Sequence, residues 1–283
     1  MKKYLPFLAI SIIAFTLTAM TLVQARDGVL FERGINSSNE VQDNEDETTE
    51  KNISESISFK DNSVRNVVRS VVYIEVWSCP GDGISDTGAS GSGSLIDERG
   101  LILTNHHVIG GCRGDILIGT SESPDSDPEL EYIAEMVAFD KDLDIAVLNI
   151  TKFYKNKAAF NLDDLPYLSI GDSDYAALGD DITVWGYPGS RGDVTGQARI
   201  NLTKGTISGI DAYKGYKRGW LISDVNITWG NSGGAALNSD NELIGIPSEG
   251  RGVGSGGGIL GALRPVNIAL ETIELARNLT GKK

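Results

Sequence analysis

Apolar residues in this chain come in short runs separated by glycine, serine, asparagine and aspartate, and only the two ends break that rhythm. The run Val71-Val72-Tyr73-Ile74-Glu75-Val76-Trp77 is rich in β-branched and aromatic residues and predicts a strand. Further short strands are expected at Ser94–Asp97, Leu101–Thr104, Ile116–Gly119, Tyr132–Phe139 and Ile145–Ile150. Asp97-Glu98-Arg99-Gly100 would turn the first hairpin. The glycine- and serine-rich segment Pro80–Ser92 reads as a long loop, and Phe160–Leu178 as a connector. A second set of strands is expected at Ile182–Tyr187, Arg199–Ile210, Trp220–Val225, Leu243–Ser248 and Ile259–Leu263. Many short strands without intervening helices point to antiparallel barrels or a sandwich. From Pro265 to Leu279 the period changes: Val266, Ala269, Leu270, Ile273 and Ala276 share one helical face. That terminal helix is expected to dock on the second set of strands.

At the other end, Lys2 and Lys3 precede an apolar run from Leu5 to Val23 and the small-residue ending Val23-Gln24-Ala25. Residues 1–25 therefore read as an export signal. The run is also about long enough to span a bilayer, so a retained N-terminal anchor is the alternative. Residues 26–57, with Asp43-Asn44-Glu45-Asp46-Glu47, are polar and acidic and read as a disordered tether. The ordered domain is expected over 58–283. A formal charge of −14 argues against nucleic acid and anionic lipid surfaces as partners. Membrane association is expected only through a retained N-terminal segment.

Cys79 and Cys112, in an exported chain, point to one disulfide, with two buried thiols as the alternative. The only histidines, His106 and His107, are adjacent and point to opposite faces of an extended chain, and no further His or Cys completes a zinc shell. No metal or cofactor is expected.

The chemistry centres on Gly230-Asn231-Ser232-Gly233-Gly234. A serine between glycines can stand on a sharp turn with backbone N–H groups converging beside it. By itself the pattern also fits an ordinary turn or the nucleophile elbow of α/β-hydrolases. A serine hydroxyl needs a base, and here the base is His106 or His107. Asp144 stands immediately before the apolar run Ile145–Leu148, suited to holding an imidazole. The order His, Asp, Ser is that of chymotrypsin, and no histidine follows the serine as an elbow would require.

Together these segments resemble the trypsin-like serine proteases, and among them the bacterial HtrA/Deg branch. Gly91-Ser92-Gly93-Ser94 leading to Leu103-Thr104-Asn105-His106-His107-Val108 is similar to the family's histidine segment. Asp144-Ile145-Ala146-Val147-Leu148 is similar to its aspartate segment, and Gly230–Gly234 to its nucleophile segment. Leu165-Pro166-Tyr167 with Gly171-Asp172-Ser173 matches the connector. The resemblance covers about residues 60–265. It implies an all-β fold of two six-stranded antiparallel barrels, over about 58–160 and 170–264, with a C-terminal helix at 265–279. It implies a catalytic triad of Ser232, His107 and Asp144 in the cleft between the barrels. Gly230, Asn231 and Ser232 would form the oxyanion hole. Asn226, Ser248 and Gly250 would line the substrate pocket, with Ile246–Gly250 pairing with substrate backbone. Asn231 stands where trypsin-like zymogens carry an aspartate, and no Ile-Val-Gly-Gly start exists, so activation by N-terminal insertion is not expected. Nor is a PDZ domain, since 19 residues follow Arg264. The implied function is an exported serine endopeptidase cleaving polypeptides through an acyl-enzyme. The alternative is a protease-fold binding or sensing protein with little turnover.

Overall fold

The computed structural model describes residues 62–79, 87–155, 162, 165–189, 198–252 and 259–281. The expected signal or anchor over 1–25 and the acidic segment over 26–57 lie outside them. Helix α1 (Asn62–Ser70) leads into strands β1 (Val71–Cys79), β2 (Thr87–Leu95) and β3 (Leu101–Thr104), then the single turn α2 (His106–Ile109). Strands β4 (Ile116–Thr120), β5 (Glu129–Asp140) and β6 (Ile145–Phe153) complete a closed antiparallel barrel in the order β1-β2-β3-β6-β5-β4. The second barrel comprises β7 (Asp181–Gly186), β8 (Asn201–Tyr213), β9 (Tyr216–Ser223), β10 (Ala235–Leu237), β11 (Leu243–Gly252) and β12 (Ile259–Pro265). It closes in the order β10-β11-β12-β9-β8-β7. A 3₁₀ turn (Val266–Ala269) and helix α3 (Leu270–Thr280) follow.

Strand alternation sorts most of the apolar residues into three large cores, beside a small cluster of Trp220, Ile222 and Ala262. Val72, Ile74 and Val76 of β1, Ile102 of β3, and Ala146, Leu148 and Ile150 of β6 fill the first barrel. Ile182 and Val184 of β7, Ala236 of β10 and Ile244 of β11 fill the second. The intervening positions face outward but are not exposed. Val71, Tyr73, Leu101, Leu103, Ile145 and Val147 meet Trp185, Tyr187, Ala235, Leu237 and Leu243 in a third core between the barrels. Tyr187 is fully buried there, its hydroxyl bonded to Ser121 Oγ at 3.0 Å and Val71 O at 3.3 Å. Burial pushes its pKa up from 10.0 to about 12.

Four expectations need correction. Residues 87–92, read as the end of a loop, belong to β2, where Ser90, Gly91, Ser92 and Gly93 pair with Glu75, Ile74, Tyr73 and Val72. Small residues suit this strand because a Cβ at Gly93 would lie 2.5 Å from Ile102. Strand β10 was not expected: its three residues, all buried, are too few to display alternation. Helix α1 was also unforeseen, although Val64, Val67 and Val68 share a face that packs into the inter-barrel core. Finally, α3 docks on β3, β5 and β6 of the first barrel, while the preceding 3₁₀ turn rests on β11 and β12 of the second. Val266, Ala269, Ile273 and Ala276 are buried as expected, but Leu270 is partly exposed.

Candidate active site

The first barrel supplies a histidine and an aspartate from the ends of neighbouring strands. Strand β3 ends at Thr104 and the chain turns into α2, so His107 projects beyond the β3–β6 pair. Asp144 immediately precedes β6, in a tight turn where Asp140 Oδ1 accepts the Leu143 N–H at 2.9 Å. It takes a left-handed backbone, φ 57°, uncommon outside glycine. Its carboxylate meets His107 twice: Oδ1 accepts the backbone N–H at 2.9 Å, and Oδ2 lies 2.7 Å from ring Nδ1. This two-point contact fixes the ring and places the proton on Nδ1, leaving Nε2 as the basic nitrogen. His106 turns away and packs its ring on Phe139, centroids 5.2 Å apart.

The second barrel supplies the serine turn. Gly230 (φ 96°) and Gly233 (φ 85°) flank it with left-handed backbone. The turn is pressed onto the first barrel: a Cβ at Gly233 would lie 2.1 Å from Thr104 Oγ1 and 2.2 Å from Ser92 O. Ser92 N–H donates to Ser232 O at 2.9 Å, and Ser92 Oγ donates to Gly230 O at 2.7 Å. Ser232 Oγ donates to Ser248 O at 3.2 Å. Among the described residues no hydrogen bond joins it to His107. Resting contacts of this kind commonly tighten only with substrate present.

Two backbone donors are free beside the serine. Among the described residues, neither Gly230 N–H nor Ser232 N–H has a hydrogen-bond acceptor. The N–H of Asn231, between them, donates to Thr228 O at 3.1 Å. Its side chain is buried, and among the described residues Oδ1 has no hydrogen-bond partner.

His107 lines three cavities. One of about 590 Å³ is lined by Asn226, Ile227, Thr228, Trp229, Ser248, Glu249 and Gly250. The three residues expected in the substrate pocket, Asn226, Ser248 and Gly250, thus come together. A second, about 360 Å³, lies toward Ala89, Ser90, Val108, Gly189 and Gly230. Trp229 borders both and is 93% exposed. The third, about 720 Å³, is charged, with Asp211, Glu249, Arg251 and Arg264 on its walls. Arg264 is buried over the rings of Trp220 (3.4 Å) and Tyr213 (4.1 Å), and desolvation lowers its pKa. Neither Trp229 nor this cluster was foreseen, since isolated aromatic and basic residues carry no motif. Among the described residues no group of three or more His, Cys, Asp and Glu could hold a metal ion.

Backbone bonds bring the chain next to Cys112 against the end of β1, with Arg113 N–H to Ser78 O at 3.2 Å and Gly114 N–H to Trp77 O at 3.1 Å. The side chain of Cys79 lies outside the described residues.

Comparison with known proteins agrees with this geometry. The trypsin-like peptidase domain family matches residues 91–246. A probable periplasmic serine endoprotease, DegP-like, of Halomonas elongata is 33% identical over 196 residues, 66% of this chain and 35% of the relative. The periplasmic pH-dependent serine endoprotease DegQ of Escherichia coli is 29% identical over 216 residues, 72% of this chain and 43% of the relative. A solved structure described as the HtrA-type protease AlgWS227A with decapeptide aligns with a TM-score of 0.58 at 25% identity, covering 78% of this chain and 67% of that one. The chain spans about a third of the length of the first curated relatives. It belongs to the trypsin-like peptidase family, with relatives among the DegP and HtrA proteases.

Proposed function

We propose that this chain is an exported serine endopeptidase in which Ser232, His107 and Asp144 form a catalytic triad. The observation that carries the reading is the two-point hold of Asp144 on His107, beside a serine turn with two unpaired N–H groups. Ser232 Oγ attacks the scissile carbonyl carbon while its proton passes to His107 Nε2. Asp144 stabilises the imidazolium, and the N–H groups of Gly230 and Ser232 receive the developing oxyanion. Collapse expels the amine, which takes the proton from His107, and leaves an ester on Ser232. Water, deprotonated by His107, then hydrolyses the ester.

The substrate is a polypeptide lying along Ser248–Gly250 of β11, with one side chain in the cavity lined by Asn226. A peptide-bound HtrA-type neighbour supports that class of ligand. The relatives described as periplasmic, with the apolar run over 5–23, support a location outside the cytoplasm, the signal being cleaved or kept as an anchor. The protease domain is taken as 58–283, with Cys79 and Cys112 joined in a disulfide.

A second reading, a binding or sensing protein with little turnover, is favoured by one observation: Ser232 Oγ is bonded to Ser248 O and not to His107. Digestion of unfolded casein, with Ser232→Ala as control, separates the two. Cleavage that disappears in the variant, with fluorophosphonate labelling of Ser232, supports the peptidase. Binding without cleavage or labelling supports the alternative.

A further inference from the structure

Asn105 occupies the position that would cap α2, a place where asparagine ordinarily bonds the first helical N–H groups, yet its side chain makes no cap hydrogen bond. It is fully buried. Its Nδ2 donates to Asp144 O at 2.9 Å and to Ser248 Oγ at 2.9 Å. One amide group thus joins the aspartate segment of the first barrel to β11 of the second. Ser248 is also the residue whose carbonyl holds the Ser232 hydroxyl, and Asp144 the residue whose carboxylate holds His107. Among the described residues Asn105 Oδ1, by contrast, has no hydrogen-bond partner. A buried acceptor left unpaired is destabilising, and an aliphatic side chain would avoid it. The two Nδ2 bonds are thus made at the cost of an unpaired acceptor on the same amide.

We propose that Asn105 is a positioning residue, setting the register between the barrel that carries His107 and Asp144 and the barrel that carries Ser232. The proposal rests on the triad reading above. Each partner keeps a second bond when the amide is removed: Asp144 O retains His106 N–H at 3.3 Å, and Ser248 Oγ retains its donation to Ile246 O at 3.1 Å. Loss of Asn105 should consequently leave both segments folded and free only their relative placement. Small displacements of reacting groups act on the chemical step and not on substrate affinity.

The test uses the full chain and the variants Asn105→Ala, Ser248→Ala and the double variant, assayed on a peptide substrate. Asn105→Ala is expected to lower kcat by about tenfold or more while KM stays within about twofold, with the rate of fluorophosphonate labelling falling in parallel. If the bridge acts as one unit, the double variant is no slower than the slower single variant. A folded Asn105→Ala protein with kcat within about twofold of wild type would overturn the proposal. So would losses that multiply in the double variant. Should Asn105→Ala fail to fold, Ser248→Ala breaks the same bridge from its other end, and its kcat with its rate of fluorophosphonate labelling decides, since Ser248 also lines the substrate cavity and its KM is free to change. Ser232→Ala keeps the two levels apart: activity surviving in that variant refutes the triad reading, whereas an inactive Ser232→Ala beside a fully active Asn105→Ala refutes only the positioning role.

Discussion

The carbonyl of Trp229 accepts a 2.7 Å hydrogen bond from the N–H of Gly189, and this orients the peptide group that follows. In a planar trans peptide the N–H points opposite to the C=O. Gly230 N–H is thereby turned away from Gly189 and left available beside Ser232. The arrangement requires φ 96° at Gly230, where a side chain is strained. Gly230→Ala is expected to flip or displace this donor and lower kcat by about 100-fold or more, as removal of one oxyanion donor typically does. Kinetics of peptide hydrolysis with a thermal melt as control measure it, and an unchanged kcat would remove Gly230 from the oxyanion hole.

Exchange of the two histidines separates neighbours of identical chemistry. His107 lines all three cavities around the site, whereas the His106 ring lies on Phe139 and lines none of them. His107→Ala should be as damaging as Ser232→Ala, and His106→Ala should retain most activity in the same casein assay. The reverse outcome would place the base one residue earlier.

Trp229 exposes 93% of its surface between two cavities, so its indole has apolar area for a substrate to cover. Trp229→Ala is expected to raise KM by about tenfold, in line with buried tryptophan anchors at interfaces, without moving the melting temperature. Binding of a peptide to Ser232→Ala protein should also shift tryptophan emission, and that shift should vanish when Trp229 is replaced as well.

Tyr187 makes stability fall in strong alkali. Its phenol is neutral and buried, with a pKa pushed up to about 12 from 10.0 in the unfolded chain. The raised value means the contribution is intact below pH 10 and is lost as pH rises through about 12. A shift of this size corresponds to about 2–3 kcal/mol. Urea unfolding between pH 9 and 12 should show the decline, and Tyr187→Phe should flatten it while lowering stability at neutral pH.

Reduction of the proposed Cys79–Cys112 bridge should lower the melting temperature and spare activity in the cold. A closed loop of roughly 30 residues corresponds to about 3–4 kcal/mol of chain entropy. Thiol titration of the exported protein before and after denaturation checks it, and two free thiols would refute the pairing.

Sequence reading recovers what local pattern encodes. Val71–Trp77 and Ile145–Ile150 declare themselves as strands by composition, and the serine turn with its glycines is visible because no other residue tolerates φ near 90° so readily. The remainder depends on contacts distant in the chain. Nothing around Ala235–Leu237 distinguishes a three-residue strand from the loop after Ser232; the partners Thr183–Trp185 make it a strand. Helical periodicity reveals which face of α3 is apolar but not what lies opposite, so its seat on the first barrel depends on contacts the pattern does not carry. Nothing local marks Asn105, and only the position of Ser248, 143 residues onward, reveals its use.

The inter-barrel core also bears on how the molecule comes apart. His107 and Asp144 belong to one barrel and Ser232 to the other, and the outward faces of both are sealed together by Tyr187, Leu103, Leu237 and the helix that crosses from β12 onto β5 and β6. Prising the halves open would hydrate that whole seam, so the barrels should melt in a single cooperative transition instead of as two beads on a string. Heat inactivation and unfolding would then share one temperature, and a population of half-melted molecules with an intact site should not accumulate.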